Sequence, residues 1–173
     1  MAGVQYVHFK INIHEHITDI GSEPGFFDGL GFVNSPNVTI VGKKPGGLTE
    51  LRLADPNTGS GQGRIFQFGV QSIVTLKDLV IAGGIVSTHG DGAGIYINGG
   101  DGATRVVVTL INCIVRDNDA TASYDGGGGV WNDKGILTLI NSTITRNAAR
   151  RGGGIWNTGD LYVDLVSFGQ SER

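Results

Sequence analysis

Gly128-Gly129-Val130-Trp131-Asn132 opens a run that continues as Ile136-Leu137-Thr138-Leu139-Ile140-Asn141-Ser142-Thr143-Ile144-Thr145-Arg146-Asn147. After one short polar connection the opening returns as Gly153-Gly154-Ile155-Trp156-Asn157. A phrase that recurs at this interval is a structural repeat, and periods of about 20–50 residues belong to solenoids and arrays.

Outward from this stretch the repeat extends in both directions. Val38-Thr39-Ile40, Val74-Thr75-Leu76, Val108-Thr109-Leu110 and Leu137-Thr138-Leu139 share an apolar–Thr–apolar pattern, and Leu161-Tyr162-Val163 is a degraded fifth copy. The last four begin 34, 29 and 24 residues apart, a spacing that shrinks as the connecting loops shorten. Each leads into a second apolar segment whose key residue lies seven positions on: Ile81, Val115, Ile144 and Phe168. Third segments lie between them: Ile65-Phe66-Gln67, Ile95-Tyr96-Ile97, Val130-Trp131-Asn132 and Ile155-Trp156-Asn157. No segment carries a helical 3.6 period, so helical repeats are excluded. Three short strands per coil, with Gly and Asn at the corners, describe an all-β, right-handed parallel β-helix of about five coils.

Stacked coils bring equivalent residues to about 4.8 Å, so ladders are predicted. Leu76, Leu110, Leu139 and Val163 form an aliphatic core file. Asp78, Asn112 and Asn141 share a corner suited to left-handed backbone angles, and Leu165 breaks the file. Phe66, Tyr96, Trp131 and Trp156 form an aromatic file. Thr39, Thr75, Thr109 and Thr138 form an outward threonine file. The file two residues on (Val41, Lys77, Ile111, Ile140, Asp164) contains no threonine, so strand propensity explains the first better than an ice-binding surface does.

At the N-terminus Val7–Ile13 alternates as a half-buried strand, and residues 21–36, with Phe26-Phe27, read as a loop covering an end of the core. Residues 1–36 are therefore an N-terminal strand and capping region, and residues 37–173 one continuous repeat domain. Glycine supplies 30 of 173 residues, more than twice the usual share of ~7%. There is no Gly-X-Y period, so these glycines serve tight turns in an ordered fold with 39% hydrophobic residues. A net charge of −3 carries no message about nucleic acid, and no basic aromatic face appears, so no nucleic-acid partner is expected. No stretch is long and apolar enough for a membrane-spanning helix, and no signal peptide is visible. The single cysteine, Cys113, lies in an apolar-patterned run and reads as a core residue.

The residues from 35 onward resemble bacterial right-handed parallel β-helix repeat proteins of the pectin-lyase-like superfamily. The likeness rests on Val38-Thr39-Ile40-Val41-Gly42, Arg64-Ile65-Phe66 and Val74-Thr75-Leu76-Lys77-Asp78-Leu79-Val80-Ile81-Ala82-Gly83-Gly84. The later Gly-Gly-Gly-Ile-Trp-Asn phrases also partly resemble repeats of chlamydial polymorphic outer-membrane proteins, with Ile144-Thr145-Arg146-Asn147 in place of the Phe-x-x-Asn element. The resemblance implies a bacterial protein, secreted or at the cell surface. It transfers no catalytic residue, because the matching positions are core, corner and turn.

Insertions in solenoids gather on one face, often the binding face. Loops Gly84–Gly92, Asn118–Gly127 and Asn147–Gly152 share a corner carrying His89, Asp91, Asp119, Tyr124, Asp125, Arg150 and Arg151. Asp117 and Arg146, just before two of these loops, occupy equivalent positions and are expected to pair. This corner is the candidate binding site. No cofactor motif is present; Ca2+ is the metal such carboxylates suit. His14-Glu15-His16 reads as a solvated strand face rather than a metal site. The expected role is a non-enzymatic module presenting the corner to a polysaccharide or a surface protein. The alternatives are a polysaccharide lyase or hydrolase, and an assembly module that self-associates by stacking through its C-terminal coil.

Overall fold

A computed structural model describes residues 12–13, 30–32, 37–42, 47–52, 63–86, 92–101, 105–121 and 126–171. Every regular element among them is a β-strand. A short β1 (Asn12–Ile13) precedes five circuits of chain. The first circuit is β2 (Leu30–Phe32), β3 (Val38–Val41) and β4 (Thr49–Arg52), and the second β5 (Phe66–Phe68), β6 (Ile73–Lys77) and β7 (Leu79–Ala82). The third is β8 (Ile95–Asn98), β9 (Val107–Ile111), β10 (Ile114–Arg116) and β11 (Asp119–Ala120). The fourth is β12 (Val130–Asp133), β13 (Ile136–Ile140), β14 (Thr143–Thr145) and β15 (Ala148–Ala149), and the fifth β16 (Ile155–Asn157), β17 (Asp160–Asp164) and β18 (Ser167–Phe168).

Each circuit contributes one strand to each of three large sheets, in the same order every time. The first face is β2-β5-β8-β12-β16, the second β1-β3-β6-β9-β13-β17, and the third β4-β7-β10-β14-β18. All these pairings are parallel except that of β1, which lies antiparallel on β3. Of the strand expected at Val7–Ile13, residues 7–11 lie outside the described residues. β2 already pairs with β5, so the segment read as a capping region contributes a strand to the first face.

The threonine-centred phrase sets the register of the second face. Thr39, Thr75, Thr109 and Thr138 align strand to strand, half-buried on the outer side. Leu76, Leu110 and Leu139 align behind them with no exposure, and Val163 continues the file at 55% exposed in the last circuit. On the third face Leu51, Ile81, Val115 and Ile144 stack in the core, and Phe168 extends that file at 60% exposed. Between these faces the chain turns through left-handed residues: Asp78, Asn112, Asn141 and Leu165 have φ of 56°, 52°, 45° and 51°. Asn and Asp adopt such angles at low cost, and Asn112 Nδ2 donates to Asp78 Oδ1 at 2.7 Å.

Two expectations need correction. Phe66 is not in the outer aromatic file: it is fully buried and aligns with Ile95, while Gln67 aligns with Tyr96. β5 alternates Phe-Gln-Phe, and both Phe66 and Phe68 point inward with rings stacked at 5.5 Å. A one-residue slip in matching a strand moves every side chain to the other face. The three-strand circuit is also incomplete, because β11 and β15 form a fourth, two-stranded parallel ladder that Ile85 extends by a bridge to Asp119. Val86, Ala93, Ala120 and Ala149 make a small separate core there.

That fourth ladder is anchored by amides expected to begin solvated loops. Asn118 and Asn147 are 1% and 0% exposed. Asn147 Oδ1 accepts from Asn118 N and Nδ2 at 3.1 and 2.9 Å, and its Nδ2 donates to Val115 O at 3.0 Å. Asn118 repeats the pattern one circuit earlier, accepting from Gly84 N at 2.9 Å and donating to Ile81 O at 3.2 Å. The glycine run explains itself beside these amides. Gly127 turns with φ of 74°, and a Cβ on Gly129 would lie 2.5 Å from Gly154 O and 2.8 Å from Asn147 Nδ2. Asn147→Ala is expected to lower stability by at least about 2 kcal/mol, because it strands buried groups at about 1–3 kcal/mol each. Exposed Arg150→Ala should stay within about 0.5 kcal/mol. Urea midpoints of the two variants test this, and equal midpoints would show that the amide ladder does not carry the corner.

Candidate functional site

The expected corner forms where the third face turns into the short fourth ladder. Gly83, Asp117 and Arg146 occupy that turn in successive circuits with φ of 74°, 56° and 51°. Gly83 N donates to Asp117 O and Asp117 N to Arg146 O, at 3.1 and 3.0 Å. Side chains at equivalent turns therefore stand side by side. Arg146 Nε and Nη2 grip Asp117 Oδ1 and Oδ2 at 2.7 and 2.9 Å, a bidentate pair as expected. Arg116 Nη1 also donates to Asp117 Oδ2, and its Nη2 reaches Glu50 Oε2 at 3.0 Å. The result is a chain of alternating charge, Glu50–Arg116–Asp117–Arg146, drawn from the first, third and fourth circuits.

The hydrogen bonds from Arg146, reinforced by Arg116, hold the Asp117 carboxyl at about 2 against burial, which acts the other way. The same contact raises the Arg146 guanidinium above its usual value. A carboxylate this acidic, with both oxygens engaged, is poorly matched to proton transfer near neutral pH.

The other corner residues do separate jobs. Asp119 Oδ1 accepts from Thr121 N and Oγ1 at 2.7 and 2.6 Å, which closes its own turn. Arg150 Nε donates to Thr121 O at 3.2 Å. Arg151 leaves the corner and lies over the Trp156 ring, 5.8 Å from its centroid. Asp117 and Asp119 are thus not brought together, and no group of three or more His, Cys, Asp or Glu suited to a metal occurs among the described residues. His89, Asp91, Tyr124 and Asp125 lie outside the described residues, as do His14, Glu15 and His16. Cys113 is 1% exposed with its thiol pushed up to about 11 by burial, a core residue and not a reactive one.

A second feature stands on the outer side of the first face. Gln67, Tyr96, Trp131 and Trp156 align in neighbouring strands, all half-buried. Tyr96 and Trp131 meet edge to face at 6.2 Å and 80°, and Trp131 and Trp156 at 6.5 Å and 56°. Arg64 lies over Tyr96 at 4.9 Å, and its Nη1 donates to Gln67 Oε1 at 2.7 Å. The glycines hold the clue to this register. Gly63, Gly92, Gly127 and Gly152 each stand four residues before a member of the file, which selects Gln67 over Phe66.

No family model, curated protein or solved structure matches this chain. Among the described residues no helix is long and apolar enough to cross a membrane.

Asp117 is held below its ordinary 3.8, so its pairing stabilises the fold above that value and is lost as pH falls toward about 2. Asp117→Asn should lower the melting temperature at neutral pH and converge with the parent chain in acid. A gap that stays constant through the acid range would contradict this.

Proposed function

We propose that this chain is a right-handed parallel β-helix acting as a non-enzymatic module, secreted or at the cell surface, whose rigid side faces contact carbohydrate or protein. Parallel crossovers are right-handed in nearly all known sheets, which supports the handedness. The observation that carries the role is the fate of the corner's charges. Asp117 and Arg146 saturate one another, and Asp119 is spent on its own turn. A lyase or hydrolase requires carboxylates and a basic group converging on a bound sugar, and the described corner spends these groups on the scaffold itself. What the stacking supplies instead is straight files of outward side chains.

A second reading, end-to-end assembly, is favoured by the last circuit. Leu161, Val163 and Phe168 are 38%, 55% and 60% exposed where their counterparts Leu137, Leu139 and Ile144 in the preceding circuit are covered. The outer edges of β16, β17 and β18 have no paired strand among the described residues.

Incubating the full chain with a glycan and protein array, with and without Ca2+, tests the first reading. It predicts saturable retention of at least one target with no shortening of any bound glycan, and unsaturated or reducing-end products would overturn it. Asp119→Ala with Asp125→Ala should abolish retention only if the corner is the contact. For assembly, sedimentation velocity should show concentration-dependent dimers that Phe168→Glu disperses. A single monomer boundary at every concentration would remove that reading.

A further inference from the structure

We propose that the outer side of the second face packs against the same face of a second copy of this chain, with the two stacks running in opposite directions. The contact goes beyond the roles proposed above, since it uses a side of the stack and neither the corner nor the open end.

Every second residue of β6, β9, β13 and β17 points outward, in register from strand to strand. In the two middle strands these are Val107, Thr109 and Ile111, then Ile136, Thr138 and Ile140, all half-buried. Ile73, at the start of β6, is 44% exposed. Contiguous apolar arrays left on the outside of a fold mark interaction surfaces, and aligned β-branched side chains suit sheet-on-sheet packing at about 10 Å. The only charged residues in the four strands are Lys77, Asp160 and Asp164, all exposed. None of the three makes an ion pair among the described residues.

Those three charges select the occupant. Lys77 and Asp164 lie in one file, in the second and fifth circuits, with Ile111 and Ile140 between them. Two copies meeting by this face are related by a twofold axis along the stack or along the strands, and each contact then occurs twice. An axis along the stack, centred on the threonine file, sets Asp164 of one copy against Asp160 of the other, which repels. An axis along the strands, passing between β9 and β13, keeps every file opposite itself and reverses the order of circuits. Lys77 then faces Asp164 of the second copy, and Ile111 faces Ile140. Asp160 meets Ile73 at the outer corner of the array, where its carboxylate stays at the wet rim. The face is thus complementary to itself in one orientation. Four strands of five residues span about 19 Å by 16 Å, or about 300 Å² per copy. That is less than a permanent dimer needs, so the association is reversible and follows concentration.

Sedimentation velocity of the full chain over about a hundredfold range of concentration reads the dimer. The parent should show a monomer–dimer equilibrium. Lys77→Asp and Asp164→Lys should each weaken it about tenfold, because each sets like charges together at two places. The double variant Lys77→Asp/Asp164→Lys should restore association to the parent's level, since the pair re-forms with its signs exchanged. Both side chains are exposed, so the melting temperatures should stay close to the parent's. Should one reversal melt early, the milder Lys77→Gln must still weaken the dimer. Phe168→Glu, at the open end of the stack, should leave it unchanged. A single monomer boundary throughout, indifference to the reversals, or failure of the exchange to restore association would each overturn the proposal. Dimers dispersed by Phe168→Glu and not by Lys77→Asp would also overturn it, in favour of end-to-end stacking.

Discussion

Each circuit of this chain leaves strand edges whose amides and carbonyls can be satisfied only by the next circuit, in register. That requirement governs the structure more than any single side chain, because an unpaired buried backbone group costs about as much as a hydrogen bond is worth. The strands are short, so the turns must hold register as well. They do so with left-handed residues at equivalent places and with side-chain amides that bond across the circuits. At Asn118 and Asn147 the amide does what a strand does elsewhere, giving and accepting along the stack. The glycines beside them are needed because nothing larger fits between stacked backbones and those amides.

The same stacking decides what the charged residues are free to do. When equivalent positions in adjacent circuits carry opposite charge, they lie within reach whether or not a ligand is present. Asp117 and Arg146 are such a pair, and Arg116 draws Glu50 into it. Surface pairs of this kind contribute modestly to stability, but they withdraw their members from other chemistry. Side chains on the strands behave differently. Their neighbours above and below are set by register, and where those neighbours are aromatic the face keeps a patterned outer surface.

Much of this was legible in the sequence. The triplets around Thr75, Thr109 and Thr138 fixed one face because they recur with their flanks intact. The corner at Asp78, Asn112 and Asn141 followed by counting from them. The Asp117–Arg146 pair was found by the same count, since 29 residues separate both it and the neighbouring Val108 and Leu137. The first face misled where its pattern was richest. Phe66 looks like Tyr96 and Trp131, yet it lies one residue off their register, and aromatic character does not distinguish an inward ring from an outward one. Asn118 and Asn147 were harder still. A polar residue at the start of a polar stretch reads as loop, and only the backbone groups of other circuits make its burial favourable. His89, Asp91, Tyr124 and Asp125 lie outside the described residues.

The intervals of 34, 29 and 24 residues between copies of the repeat have a kinetic meaning. Paired strands in the stack are one circuit apart, so the loop closed by each new strand pairing stays about one circuit long however many circuits are present. Closure entropy rises only with the logarithm of loop length, and each circuit adds a similar toll. Folding can then begin wherever two adjacent circuits first cohere and spread from there. The middle of the stack, where Leu110 and Leu139 are wholly covered, is the natural nucleus.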